Sequence, residues 1–468
     1  MRPLSTEQVH GTPRRRRTSA WWLAACAALA GGAAAGSEMP RAAGGHRAAP
    51  DIVERGALDG AARNGAVDGA VNGAVNGEAR LSSEEGLLVD ALELAGAGDV
   101  DAALARVETI LDRRGNFRLA QLVYADLLAV KASPLESFGG AATARDAERL
   151  AALREEAMAR LRHELARDSR QGLPASLIGV SPRYRQVVVV DVSAARLYVF
   201  ENLDGELDLV ADYYVSTGKN GSGKQRQNDQ RTPVGVYFIT GRIEAGNLPD
   251  FYGAGALPVD YPNPWDRRLG RTGYGIWIHG LPSGTYTRAP NASDGCVALA
   301  NADFMALWGR LDPARTPAIM ADAVSWWPRA TLAARREMLA ARIEQWRAAR
   351  QSGDAARYAG YYANGFASDG RDRAAWLRLH RAASARQHDV EIEIADLTLL
   401  GAPGDHRVVI ADFEQRYRSA DRALDLGKRQ YWRLEDDGEW RIVYEGVTRL
   451  REEHLKGIPV WARSQMYR

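Results

Sequence analysis

Two short motifs concentrate the residue types able to do chemistry: Ile276-Trp277-Ile278-His279-Gly280 and, a spacer of a dozen residues later, Ser293-Asp294-Gly295-Cys296. A cysteine nucleophile needs a nearby imidazole to favour thiolate over thiol, and a compact neighbour lets substrate approach the sulfur. His279, delivered by a strand-like run, and Gly295 supply both. The thiol is also solitary. The chain has two cysteines, and the other, Cys26, falls in an amino-terminal stretch that reads as an export signal. Composition alone favours an inert, buried Cys296, since free cysteine is among the most buried residue types. Its neighbours reverse that reading. One Cys and one His without a second ligand pair make no zinc site, and no metal or cofactor is expected.

The elements that must position these residues follow from the pattern around them. Val187-Val188-Val189-Val190 and Ala195 to Phe200 read as strands joined by a short turn, and Leu207 to Ser216 and Gly235 to Thr240 as a second pair. A Gly- and Pro-rich passage from Arg242 through Gly270 is long enough to be a loop over a site. The run Gly275 to Ile278 is a strand ending at His279, and a helix follows over Asn301 to Leu311. One phosphate-loop look-alike sits here. Gly218 to Gln225 nearly spells that motif, but Gln225 takes the Ser/Thr place and no helix-like stretch follows, so nucleotide binding is excluded.

These residues resemble the L,D-transpeptidase (YkuD) family. Its pattern is a His-Gly, a spacer, and Ser/Thr-x-Gly-Cys followed by an aliphatic residue, which here is Val297. Arg196 to Phe200, Val215 to Lys219 and Arg231-Thr232-Pro233-Val234-Gly235 are similar to upstream family segments, so the resemblance covers roughly 184–322. It implies a mainly β catalytic domain in which Cys296 attacks the stem-peptide carbonyl before a terminal D-alanine and passes the acyl group from a thioester to an amine. It further implies His279 as base, the Gly280 carbonyl as the group orienting its ring, Ser293 as support, and N–H groups of Gly295 and Cys296 as oxyanion donors. The family often has His where Asp294 stands and Arg where Ala298 stands. A cation for the substrate carboxylate must then come from elsewhere, with Arg271 and Arg288 as candidates. Similar departures occur in a branch of the family that includes hydrolases removing proteins from peptidoglycan, so a peptidoglycan amide hydrolase is the alternative activity; a non-catalytic cell-wall binding or assembly protein is a second alternative.

The rest of the 468 residues organises around this domain. Arg14 to Arg17 precede the apolar run Ala20 to Ala30, and Ala33-Ala34-Ala35 offers a cleavage site. Residues 1–37 are therefore read as a signal peptide and the protein as exported to the periplasm or cell envelope. Leu23-Ala24-Ala25-Cys26 resembles a lipoprotein cleavage box, but the apolar run continues past it, which makes Cys26 an ordinary residue of the signal core. Residues 38–80, with a near-repeat of Asn/Asp-Gly-Ala-Val, read as a flexible linker. Residues 81–180 show helical periodicity, with hairpin helices about Gly96 to Asp99 and some tetratricopeptide likeness. Residues 331–468 combine helices with alternating strands and resemble a cone-shaped nuclear-transport-factor-like (SnoaL-like) α+β domain.

Charge excludes one class of partner. With 61 basic against 59 acidic residues, the net charge of +2 gives no reason to expect a nucleic acid. The expected partners are peptidoglycan stem peptides, with protein partners for the helical and carboxyl-terminal regions.

Overall fold

The structure is a computed structural model that describes residues 83–450 apart from 133–137, 141–146, 168–169, 314, 369, 385–388 and 421. The signal-peptide and linker expectations at 1–37 and 38–80, Cys26 included, lie outside the described residues. The chain divides between Met158 and Ala159 into two compact units.

The first unit is helical. Helices α1 (Glu84–Gly96) and α2 (Val100–Arg113) form the expected hairpin, followed by α3 (Arg118–Ala132) and the start of α4 (Ala147–Ala166). Ser83 and Asp99 accept backbone N–H bonds from Gly86 and Ala102 and so satisfy donors that the first turns of α1 and α2 leave free. Leu104, Val107 and Ile110 bury one face of α2, as their spacing requires.

In the second unit a five-stranded sheet runs in the order 206–214, 196–203, 186–191, 317–321, 235–238. Successive strand residues face opposite sides, and both sides are covered. Val187 and Val189 join one apolar core with Tyr198, Phe200 and Ile319, while Val188 and Val190 join another with Leu197, Val199 and Met320. That double burial accounts for the unbroken apolar run in the sequence. A second, four-stranded sheet carries the chemistry: Trp277–His279 lies between Val297–Ala298, parallel to it, and Gly255–Pro258, antiparallel. Helix α5 (Pro264–Arg268) and helix α6 (Asn301–Arg310) flank these strands in sequence.

Helix α7 (Arg329–Gln351) opens the carboxyl-terminal domain, with α8 (Ala355–Ala359) and α9 (Arg373–Ser384) packed by a sheet of four long strands, 391–402, 405–419, 422–434 and 440–450. Trp346, Phe413, Tyr431 and Trp432 fill its core. The last stretch of the region read as helical, 170–180, departs from that reading. It holds two short strands, and one of them, Leu177–Gly179, is the edge strand of the carboxyl-terminal sheet, pairing with Leu399 and Leu400. A three-residue strand shows no periodicity of its own; its partner, far along the chain, defines it.

Candidate active site

His279 ends its strand with Ala298 as its lateral partner, which places Cys296 just outside the neighbouring strand and beside it. Both line a cleft of about 330 Å³, with Lys224, Gln227, Phe251, Tyr252, Tyr274 and Gly275 among its walls. The imidazole is buried, and its Nδ1 bonds the Gly280 carbonyl at 2.6 Å. A carbonyl only accepts, so Nδ1 carries the proton and Nε2 is left as the basic nitrogen. The Tyr252 ring meets the imidazole edge-on at 5.1 Å.

Two glycines are required by space. A Cβ on Gly295, whose φ is +124°, would stand 2.6 Å from the Arg231 carbonyl oxygen. A Cβ on Gly280 would lie 2.2 Å from Asn301 Oδ1. Ser293 is buried; its hydroxyl donates to the Cys296 carbonyl at 2.6 Å and accepts the Gly295 N–H at 3.1 Å, tying together the turn that presents the thiol. That bond engages the Gly295 N–H, one of the two donors expected to face an oxyanion. The partly exposed thiol donates to the Gly275 carbonyl at 3.4 Å.

Electrostatics keep both partners neutral at rest. Burial pulls the His279 pKa down to about 4, against the opposing hydrogen bond to Gly280 and with help from the Arg288 charge. Burial pushes the Cys296 thiol up, although the Trp277 backbone N–H and Arg288 favour its charged form. The resting pair is thus thiol and imidazole, and the proton moves when substrate is in place. The sign for activity follows. The basic form of His279 persists down to about pH 4, so the acid limb of kcat/KM lies nearer pH 4 than the 6.5 of a free imidazole. A pH–rate profile of the full chain checks this, and a limb at 6.5 would refute it.

The two candidate arginines are placed differently. Arg271 forms an ion pair with Asp266 at 2.9 Å and donates to the Val234 carbonyl; neither it nor Arg288 is among the residues lining the cleft. Arg288 is close enough to Cys296 and Asp294 for their charges to oppose the lowering that burial imposes on it. Its Nε and Nη2 are buried with no hydrogen-bond partner. Asp294 pairs with Lys219 at 2.8 Å and Gln230 at 3.1 Å on the surface.

Other residues of the site lay beyond the sequence reading. Asn301 Oδ1 accepts from the N–H of Ala254 and of Leu281, and its Nδ2 donates to the Leu281 carbonyl, so one side chain pins the loop after His279. Thr232 Oγ1 donates to the Gly295 carbonyl and accepts the Gly218 N–H. Thr232 stood inside a segment already singled out by resemblance, whereas Asn301 and Tyr252 carried no local signal.

Residues 185–320 match the YkuD family model, the L,D-transpeptidase catalytic domain, and residues 338–446 match the Cds6 C-terminal NTF2-like domain. The chain therefore carries a catalytic domain of the cysteine-dependent, peptidoglycan-modifying L,D-transpeptidase type, followed by an NTF2-like domain. Among solved structures, Bd1075 of Bdellovibrio bacteriovorus is 26% identical with a TM-score of 0.53, over 60% of this chain and 99% of that one. The helical cell shape determining protein Pgp2 of Campylobacter jejuni is 21% identical with a TM-score of 0.48, over 59% of this chain and 94% of its own. No curated protein matches the chain.

Proposed function

We propose that this protein is an exported L,D-transpeptidase that acts on peptidoglycan tetrapeptide stems through a thioester on Cys296. The observation that carries the reading is the fixed tautomer of His279: its Nδ1–H is held by Gly280, in the cleft that also exposes the Cys296 thiol. Nε2 takes the thiol proton as sulfur attacks the carbonyl preceding D-alanine, and the Cys296 N–H faces the resulting oxyanion. Collapse breaks the amide, and the imidazolium returns its proton to the departing D-alanine nitrogen. An acceptor amine then attacks the thioester, loses a proton to His279, and restores the thiol. With water in place of the amine, the same centre hydrolyses the stem.

Arg288 supplies the substrate-binding cation in this reading. Two of its nitrogens are buried without a partner, its charge acts on Cys296, and the position where the family often has an arginine holds the small Ala298. Charged hydrogen bonds contribute roughly 1.5–3 kcal/mol, so Arg288→Ala is expected to raise KM about tenfold or more while kcat changes less. Steady-state kinetics with a tetrapeptide substrate reads this, and an unchanged KM removes Arg288 from substrate binding.

Mass spectrometry of products from purified protein, tetrapeptide muropeptides and a D-amino acid tests the whole reading. Loss of D-alanine with an exchanged or cross-linked product is the expected result. D-alanine loss alone assigns a hydrolase, and no Cys296-dependent change overturns the enzymatic assignment.

A further inference from the structure

The segment from Asp260 to Gly275 ends in two residues that line the cleft, Tyr274 and Gly275, and the carboxyl-terminal domain grips that segment at three points. The Trp265 indole, on α5, stacks on Tyr431 with ring centroids 4.9 Å apart and planes 13° from parallel. Arg268, at the end of α5, donates to the carbonyls of Gly365 and Ala367. Arg429 reaches Asp260 Oδ2 at 3.8 Å while its Nε bonds Asp412 at 2.9 Å and its guanidinium lies 3.8 Å from the Phe238 ring centre. Tyr431 and Asp412 are both 1% exposed, so these anchors belong to the interior of the carboxyl-terminal domain and do not yield easily.

The segment is stiff enough to carry that grip to the thiol. Asn263 and Asp266 form a reciprocal cap at the start of α5, Asp266 pairs with Arg271, and the Tyr261 hydroxyl donates to the Thr272 carbonyl at 3.0 Å. Three residues beyond Thr272, the Gly275 carbonyl accepts the Cys296 thiol, and Tyr274, Gly275 and Ile276 line the cleft. Resting on the reading of Cys296 as nucleophile, we propose that the carboxyl-terminal domain is a positioning element of the catalytic centre: through Trp265, Arg268 and Arg429 it fixes the wall whose Gly275 carbonyl aims the thiol. Trp265, Arg268 and Arg429 are positioning residues and touch no reacting atom.

The test separates positioning from simple docking by two readouts of opposite sign. In the full chain, well below its melting temperature, Trp265→Ala releases the wall. Water reaches the thiol, and the carbonyl that holds its neutral form is lost. Iodoacetamide alkylation of Cys296 at pH 7 is expected to quicken several-fold and its pH midpoint to move toward acid. A displaced nucleophile meanwhile lowers kcat about tenfold, with KM changed less. Trp265→Phe, which keeps a stacked ring, restores both. Arg268→Ala, a surface contact less costly to folding, moves both in the same directions. A lowered melting temperature with wild-type alkylation and kcat in the two alanine variants overturns the proposal. Alkylation is read without substrate, so it decides the clamp even where the wild-type protein turns over no muropeptide, which would count against the proposed function instead.

Discussion

The substitution Cys296→Ser lowers turnover by about 10³-fold or more, although it exchanges a single atom. An alcohol holds its proton far more tightly than a thiol, and the base available is weak: burial keeps the pKa of His279 at about 4, and no carboxylate is among the influences that set it. A thiol can be deprotonated by such a base as attack proceeds, whereas a hydroxyl gains little from it. The near-isosteric change leaves the turn at Ser293 and Gly295 intact, so the melting temperature stays close to the wild-type value. D-alanine release, measured beside a melting curve, checks both. A serine variant that keeps more than a tenth of the wild-type rate would mean that proton transfer to His279 does not limit the reaction.

Gly280→Ala has the second largest effect, and it acts through space. The new methyl would lie 2.2 Å from Asn301 Oδ1, 2.7 Å from the Ala254 nitrogen and 3.2 Å from the Tyr252 oxygen. Two of these atoms are backbone, and Asn301 is held by three hydrogen bonds of its own. The loop itself must therefore move, and it carries the carbonyl that fixes the His279 tautomer. Overpacking of this kind costs roughly 1–3 kcal/mol of stability. A displaced imidazole costs about 10²-fold in kcat. Thermal melting and kcat, measured together, are expected to fall together. An alanine variant unchanged in both would show that Asn301 does not restrain the loop.

Much of the site was legible because its chemistry is written in contiguous motifs. His279-Gly280 and Ser293 to Cys296 each hold a functional group and the small residue that makes room for it. The sheet was legible in Val187 to Val190, whose unbroken apolar run corresponds to a strand covered on both faces. Asn301 was not, since its contacts with Ala254 and Leu281 join loops that only the fold brings together. Tyr252 likewise sits in a Gly- and Pro-rich passage with no periodicity to reveal which side chain faces His279. Helix α9 carries no motif that marks it, and its Trp376 lies partly buried against the domain core. Of the two arginines offered in place of the cation missing at Ala298, the sequence gave no way to see that Asp266 occupies Arg271 while two nitrogens of Arg288 stay unpaired.

The edge strand Leu177–Gly179 makes the catalytic domain an insertion, in topological terms, within the sheet of its neighbour. The apparent seam near residue 330 is consequently no place to cut. A fragment beginning there would uncover the edge of the long strand Glu391–Ala402 at Leu399 to Gly401, an invitation to intermolecular pairing. A fragment ending there would strand Leu177 and Ile178, both buried in the intact chain, in water. The chain must also bring together partners separated by the entire catalytic domain before the last sheet is complete. Loss of that final closure exposes surfaces of both domains at once, so the two are expected to melt in one transition.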